Sequence, residues 1–225
     1  MFIGHFGVAL AAKRVAPRTS LGTLVMTAQF ADLLWPVFLL LGLERVAIAP
    51  GITAVTPLDF ISYPLSHSLL ADFGWASLFA GIYKMVKCDS RGALCLWFVL
   101  MSHWLLDALT HRPDLPLYPG GSISVGLGLW NSRAGTLLVE GAIFALGAVV
   151  YGSTTRPRDR AGIYAFWSFI ALLVLMYLAN LFGPPPPGVK AIALAGLGLW
   201  VFVAWAYWLD RHRQVRPQSF GGMNT

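Results

Sequence analysis

Long apolar runs, separated by short polar or Pro/Gly-rich segments, dominate the pattern of the chain. Six runs approach the length of about 20 residues that an α-helix needs to cross a bilayer. They lie at residues 20–43, 62–83, 92–112, 133–152, 162–182 and 189–209. A seventh run, residues 2–15, is too short to span and indicates a half-helix or an interfacial helix. The pattern predicts an all-α, polytopic transmembrane bundle of six spans plus a short N-terminal half-helix.

Composition supports this class, since 57% of the 225 residues are hydrophobic and only 12% are charged. Soluble domains carry roughly twice that charged fraction. We predict one transmembrane domain over residues 1–209, with its motifs confined to residues 1–119. Residues 210–225 are basic and then Gly-rich, which is typical of a disordered tail.

The net charge of +6 is distributed unevenly between the two ends of the spans. One set of ends carries Lys13, Arg14, Arg18, Lys84, Lys87, Arg91, Arg156, Arg158, Arg160, Arg211, Arg213 and Arg216. The other carries Arg45, Arg112, Arg133 and Lys190. Cations accumulate in cytoplasmic loops, so the first set and the C-terminus are predicted to be cytoplasmic. The basic clusters are not interleaved with aromatic residues, and we expect no nucleic-acid partner.

Candidate chemistry lies at the end of the third span. His103, Asp107 and His111 are spaced at i, i+4 and i+8, which places them on one side of a helix. Imidazole and carboxylate groups are ligands for divalent metals. Pairs of this spacing also form hydrogen bonds at helix ends without a metal, and the spacing leaves both interpretations open.

Further polar residues are predicted to lie at a similar depth in the membrane. His67, His103, Asp107 and Glu140 all fall in the outer half of antiparallel spans, with Asp32 near mid-membrane and His5 at the start of the half-helix. Ionisable groups within spans usually line a cavity or pathway. We predict a metal site there, formed by His5, Asp32, His67, His103 and Asp107. Rings of His67 and His103 more than about 8 Å apart would leave that prediction without support, because coordination bonds are about 2 Å long.

Neighbouring residues are predicted to orient the ligands, to act as acid/base groups or to support the structure. Ser66 and Ser102 precede the two histidines and are expected to orient them. His111 and Glu140 are candidate general acid/base groups, although Glu140 suits a structural hydrogen bond equally well. Asp72 lies off the His67 face and is expected to be structural or supporting. Pro36 is expected to kink the first span.

At these residues the chain resembles the YdjM-like family of inner-membrane proteins, which are assigned as metal-dependent hydrolases. The resemblance covers roughly residues 2–119 and rests on four features. They are His5, Asp32, the run Ser66-His67-Ser68-Leu69-Leu70, and His103-x-x-x-Asp107-x-x-Thr110. The His-x-x-x-Asp helix is also similar to that of zinc-dependent phospholipase C-type enzymes. The family usually has Pro-Asp-x-Asp where this chain reads Ala31-Asp32-Leu33-Leu34, so one carboxylate of the pattern is missing.

The resemblance implies a zinc-dependent hydrolase of the bacterial inner membrane. We expect a phosphoesterase or esterase that acts on a lipid or lipid-linked substrate at the periplasmic side, with a metal-activated water as nucleophile. Two alternatives stay open from the sequence. Buried carboxylates and histidines also occur in proton- or ion-coupled transporters, and a non-enzymatic membrane subunit can use the same groups as a hydrogen-bond network.

Overall fold

The computed structural model describes residues 1–217 and is an all-α helical bundle with three small β-ribbons. Its helices are α1 Ile3–Val15, α2 Leu21–Ala28, α3 Phe30–Leu40, α4 Pro64–His67, α5 Leu69–Lys87, α6 Ser90–Thr110, α7 Arg133–Thr154, α8 Arg160–Phe182, α9 Val189–Leu197 and α10 Leu199–His212. Its two-residue to five-residue strands are β1 Arg45–Ile48, β2 Leu58–Ser62, β3 Leu115–Pro116, β4 Ser124–Val125, β5 Thr155–Pro157 and β6 Arg213–Val215. A 3₁₀ helix, Leu129–Asn131, precedes α7.

Several helices are long and apolar enough to cross a membrane, as a multi-pass membrane protein requires. Within residues 1–217 they are α5, α6, α7, α8 and the pair α9–α10, with α2–α3 as a sixth, bent span. This confirms the predicted all-α bundle. Consecutive helices run in opposite directions, so the β1–β2 and β3–β4 ribbons share one end, here called the hairpin end. The opposite end, called the basic end, carries the larger set of cations.

The first span bends by 55° at Gln29, seven residues before the proline that was expected to kink it. Gln29 has φ −98° and ψ 8°, outside the helical range, and it separates α2 from α3. Pro36 lies inside α3, where it removes the hydrogen bond to the carbonyl of Asp32 without ending the helix. The 55° bend of the first span therefore lies at Gln29, and α3 continues through Pro36. The bend places Asp32 in the first turn of α3.

The half-helix α1 lies in the core of the bundle and is not interfacial. Phe6, Ala9 and Leu10 are fully buried. On the α7 side the two backbones touch: a Cβ added to Gly147 would lie 2.1 Å from the carbonyl oxygen of Gly7. Small residues permit such close helix contacts in membrane proteins. Burial of α1 carries His5 into the bundle, which an interfacial helix would not do.

The hairpin end is more ordered than the predicted loops. Residues 44–61, which lie between the first two predicted spans, contain most of the antiparallel β1–β2 hairpin. The second span begins at Leu69 rather than at residue 62, because the Ser68 side chain caps α5 by accepting a hydrogen bond from the Ala71 N–H. His67 is thereby held on the separate turn α4, outside the long helix. Residues 113–132 form the β3–β4 ribbon and the 3₁₀ helix, and Trp130 lies in the wall of the cavity described below.

The first residues of the tail predicted from Asp210 are ordered. α10 continues to His212, and β6 then pairs with β5 at the basic end. Arg213 is 7% exposed, and its guanidinium lies over the rings of Tyr151 and Phe166. These cation–π contacts bind the segment to α7 and α8. The rest of the predicted tail, residues 218–225, lies outside the described residues.

Candidate metal centre

Six polar side chains converge near the hairpin end, centred on Asp107 of α6. They are His5, Asp32, His67, His103, Asp107 and His111, and all except Asp32 are less than 5% exposed. Asp107 Oδ1 faces His5 Nε2 at 3.1 Å and the backbone nitrogen of Met1. Asp107 Oδ2 faces Nε2 of His103 at 3.3 Å, of His67 at 3.8 Å and of His111 at 3.9 Å. The structure thus brings together every residue that the sequence proposed as a ligand.

The two histidines on which the prediction depended are close neighbours. The ring centroids of His67 and His103 are 5.3 Å apart, inside the limit of about 8 Å set by coordination bond lengths. His67 Nε2 also lies 3.4 Å from Asp32 Oδ1. On the other side, the ring of His5 stacks on that of His103 at 3.8 Å. The histidines therefore form one cluster, although they come from α1, α4 and α6.

Distances within the cluster match those of a metal-binding site. The ligand atoms of His5, His103 and Asp107 lie within 4.8 Å of one another, and so do those of Asp32, His67 and His103. Two ligands bound tetrahedrally at about 2.0–2.1 Å are separated by about 3.4 Å. The His103–Asp107 and His67–Asp32 separations of 3.3 and 3.4 Å agree with this value. The protein therefore has a buried His/Asp group close enough to bind a metal ion.

In His67 and His103, Nδ1 makes a hydrogen bond on the side of the ring that faces away from the cluster. Nε2 is therefore available as a metal ligand. His103 Nδ1 donates to the carbonyl oxygen of Ala28 at 2.8 Å, and a carbonyl can only accept. The Ser66 hydroxyl donates to Glu44 Oε2 at 2.7 Å, so its oxygen accepts from His67 Nδ1, also at 2.7 Å. In the neutral form of both rings the proton is therefore on Nδ1, and the Nε2 lone pair points to the cluster. Metal-binding histidines are usually oriented by such partners.

His111 is oriented in the same way, although α6 ends before it. Thr110 is the last helical residue, and His111 is extended, with φ −63° and ψ 153°. The expected helical i+8 position was therefore wrong, yet the side chain still reaches the cluster. Its Nδ1 donates to Asp114 Oδ1 at 3.0 Å, and Tyr63 donates to the same oxygen. Burial lowers the pKa of His111, with the bond to Asp114 opposing that shift, so the ring is neutral near pH 7.

Supporting roles differ in part from those expected. Ser66 orients His67 as predicted, but the Ser102 hydroxyl donates to the carbonyl of Val99 on its own helix. The carbonyl of Ala28 takes the place expected for Ser102. Glu44 was not predicted, because it lies 22 residues before Ser66 and the spacing carries no signal of the contact.

Two other buried carboxyl groups lie outside both groups of potential ligands. Glu140 Oε2 accepts a hydrogen bond from the Phe2 N–H at 2.8 Å, at the start of α1, and its side chain also lines the cavity. Glu140 therefore makes the structural hydrogen bond that was considered for it. Its side chain also lies in the cavity wall, so it is still a candidate acid or base. Asp72 is fully buried, and neither carboxylate oxygen has a hydrogen-bond partner within the described residues.

A cavity of about 660 Å³ reaches the cluster from one side. Asp32, His67, Asp107 and His111 lie in its wall, and Trp35, Phe60 and Trp130 form an aromatic lining beside them. His5 and His103 are behind this wall. Catalytic metal sites keep a position open to water or substrate, and this cavity would supply one.

Donor chemistry also agrees with a metal site. Although Asp107 Oδ2 lies 3.3 Å from His103 Nε2, this buried nitrogen makes no hydrogen bond among the described residues. Such burial is costly for a polar atom unless a ligand satisfies it. Imidazole and carboxylate ligands suit zinc and related divalent ions. No family model, curated protein or solved structure matches the chain.

Proposed function

We propose that this protein is a metal-dependent hydrolase of the bacterial inner membrane that acts on a lipid or lipid-linked ester or phosphoester. One observation carries the proposal. Histidines from two different segments, His67 and His103, present Nε2 lone pairs to the carboxylates of Asp32 and Asp107 beside a cavity. The resemblance to the YdjM-like family, on the same residues, agrees with it.

His67, His103, Asp32 and Asp107 would hold the metal. We propose zinc, which binds imidazole nitrogen and carboxylate oxygen. His5 would add a fifth ligand from behind the His103 ring. A bound divalent ion lowers the pKa of a coordinated water and polarises a phosphoryl or acyl oxygen. The protein contributes by fixing the ligands through buried hydrogen bonds and by holding the substrate in the cavity.

Side chains in the cavity wall would transfer the protons. His111 has its Nδ1 proton committed to Asp114, so its Nε2 can accept a proton from the reacting water and return it to the leaving group. Glu140 is the second candidate, with Oε2 already accepting from Phe2. His111 is the better placed of the two, because its free nitrogen lies 3.9 Å from Asp107.

The site would lie toward the periplasm with the C-terminus in the cytoplasm. This follows from the excess of Lys and Arg at the basic end, opposite the cluster. A transporter would need a polar path from the cluster to that end. Below His5, α1 instead packs into the apolar core through Phe6, Ala9 and Leu10, which favours a one-sided site.

Elemental analysis of the purified protein tests the proposal most directly. We expect at least one equivalent of zinc or another divalent metal in the wild type, and hydrolysis of bacterial lipid extracts that chelator abolishes. His67→Ala and His103→Ala should lose most of both, while His212→Ala, at the basic end, should lose neither. A folded His103→Ala variant that keeps its metal content and its activity would refute the proposal.

A matched pair of serine variants tests how the histidines are oriented. Ser66→Ala removes the hydroxyl that links His67 to Glu44, and we expect metal affinity to fall about 10- to 100-fold. Ser102→Ala changes the corresponding serine before His103, whose hydroxyl contacts only its own helix, and should leave affinity within about 2-fold. Calorimetric zinc titration of the metal-free protein measures both. Equal losses in the two variants would contradict the assigned roles.

A further inference from the structure

The cavity continues away from the His/Asp cluster into an apolar groove lined by α8, α9 and the start of α10. The groove is lined by Met176, Ala191, Ile192, Ala195 and Leu199. Met176 is 39% exposed, and Ala195 is also exposed. Both residues lie in helices that are long and apolar enough to cross a membrane, so this part of the groove is exposed on the side of the bundle. For a chain that spans a membrane, a sideways opening at this level faces the acyl chains of the lipid.

An uncompensated cation lies at the rim of the same cavity. Arg133 Nε donates to the carbonyl of Ala54 at 2.7 Å, which fixes the side chain beside the cavity wall. Within residues 1–217, Arg112 at the hairpin end pairs with Asp59 and Asp114, whereas no ion pair involves Arg133. Its remaining guanidinium donors are suited to a phosphate or carboxylate group.

We infer that the cavity binds an anionic membrane lipid that enters sideways, with one acyl chain in the groove and its anionic group at Arg133. The ester or phosphoester of this lipid would then lie in the same cavity as the His/Asp cluster. The inference rests on the proposed function, because it names the substrate of the same site. Two features favour a lipid over a soluble anion: the groove is apolar, and it is continuous with the polar end of the cavity.

Photo-crosslinking in nanodiscs tests the inference without requiring turnover. The probes are phosphatidylglycerol and phosphatidylcholine, each with a diazirine near the end of one acyl chain. We expect crosslinks on α8 and α9 at the groove residues. Labelling there should be about 5-fold stronger with the anionic probe, which corresponds to about 1 kcal/mol for one arginine near an anionic group.

Matched variants test the two proposed contacts, which are the acyl chain with the groove and the anionic group with Arg133. Ala195→Trp and Ala191→Trp should block the groove and reduce its labelling several-fold, while Ala204→Trp, exposed on α10 outside the cavity, should not. Arg133→Gln should remove the preference for the anionic probe and Arg133→Lys should retain it. Arg45→Gln, an exposed cation at the same end, serves as the control.

The outcomes separate this inference from the proposed hydrolase. Labelling spread over all exposed helix faces, or equal labelling by the two probes, would overturn the inference even if the protein binds zinc and hydrolyses lipids. Selective labelling that persists in His103→Ala would support it, whether or not the wild type shows activity. Size-exclusion profiles establish which variants are folded, and the two tryptophan positions provide independent blocks of the groove.

Discussion

Asp107→Asn should give a folded protein that binds metal far more weakly than the wild type. Both oxygens of Asp107 face histidine nitrogens, so the residue contacts all four histidines of the cluster. An amide keeps the shape of the side chain but removes its charge and turns one ligand atom into a donor. We expect zinc affinity to fall more than about 100-fold, beyond the loss typical of supporting residues. Calorimetric titration and elemental analysis measure it.

Asp72→Asn is the matched control for this variant. Asp72 is also buried, but its oxygens have no hydrogen-bond partner within residues 1–217 and it belongs to neither group of potential ligands. Burial of an unpaired carboxylate is unfavourable, so the amide should leave metal binding unchanged and stability equal or higher. Loss of metal in Asp72→Asn but not in Asp107→Asn would reverse the assignment of ligands.

Gly147→Ala is the second change with a large expected effect. Its Cβ would lie 2.1 Å from the carbonyl oxygen of Gly7 and 2.6 Å from other backbone atoms of that residue, closer than atoms can pack. α1 and α7 must therefore separate, at a cost of about 1–3 kcal/mol or more in the free energy of unfolding. The shift should also weaken metal binding, because α1 carries His5. Thermal unfolding in detergent and zinc titration measure the two effects.

Gly141→Ala on the same helix provides the comparison. A Cβ at Gly141 meets no atom within 4 Å, so the substitution should be neutral or, through helix propensity, stabilising by up to about 1 kcal/mol. Similar melting temperatures for the two variants would show that the close contact between α1 and α7 does not limit stability. A lower melting temperature for Gly147→Ala with unchanged zinc affinity would show that His5 contributes little to the site.

Much of the site could be predicted because each part carries a local signal. The i, i+4 spacing places His103 and Asp107 on one face of α6, and depth along antiparallel spans places His67 at the same level. Contacts without a local signal were missed. Glu44 reaches Ser66 across 22 residues, and the carbonyl of Ala28 reaches His103 across 75. No spacing rule predicts contacts between segments so far apart.

The sequence by itself determined the helical class, the approximate span limits and the residue types of the site. It could do so because a backbone in lipid must satisfy its own hydrogen bonds, so each apolar run becomes a helix regardless of its neighbours. Only the tertiary structure decided that α1 is buried against α7, that the first span bends at Gln29, and that the histidine lone pairs point inward. These features depend on which helix faces meet, and that is decided by packing between distant segments.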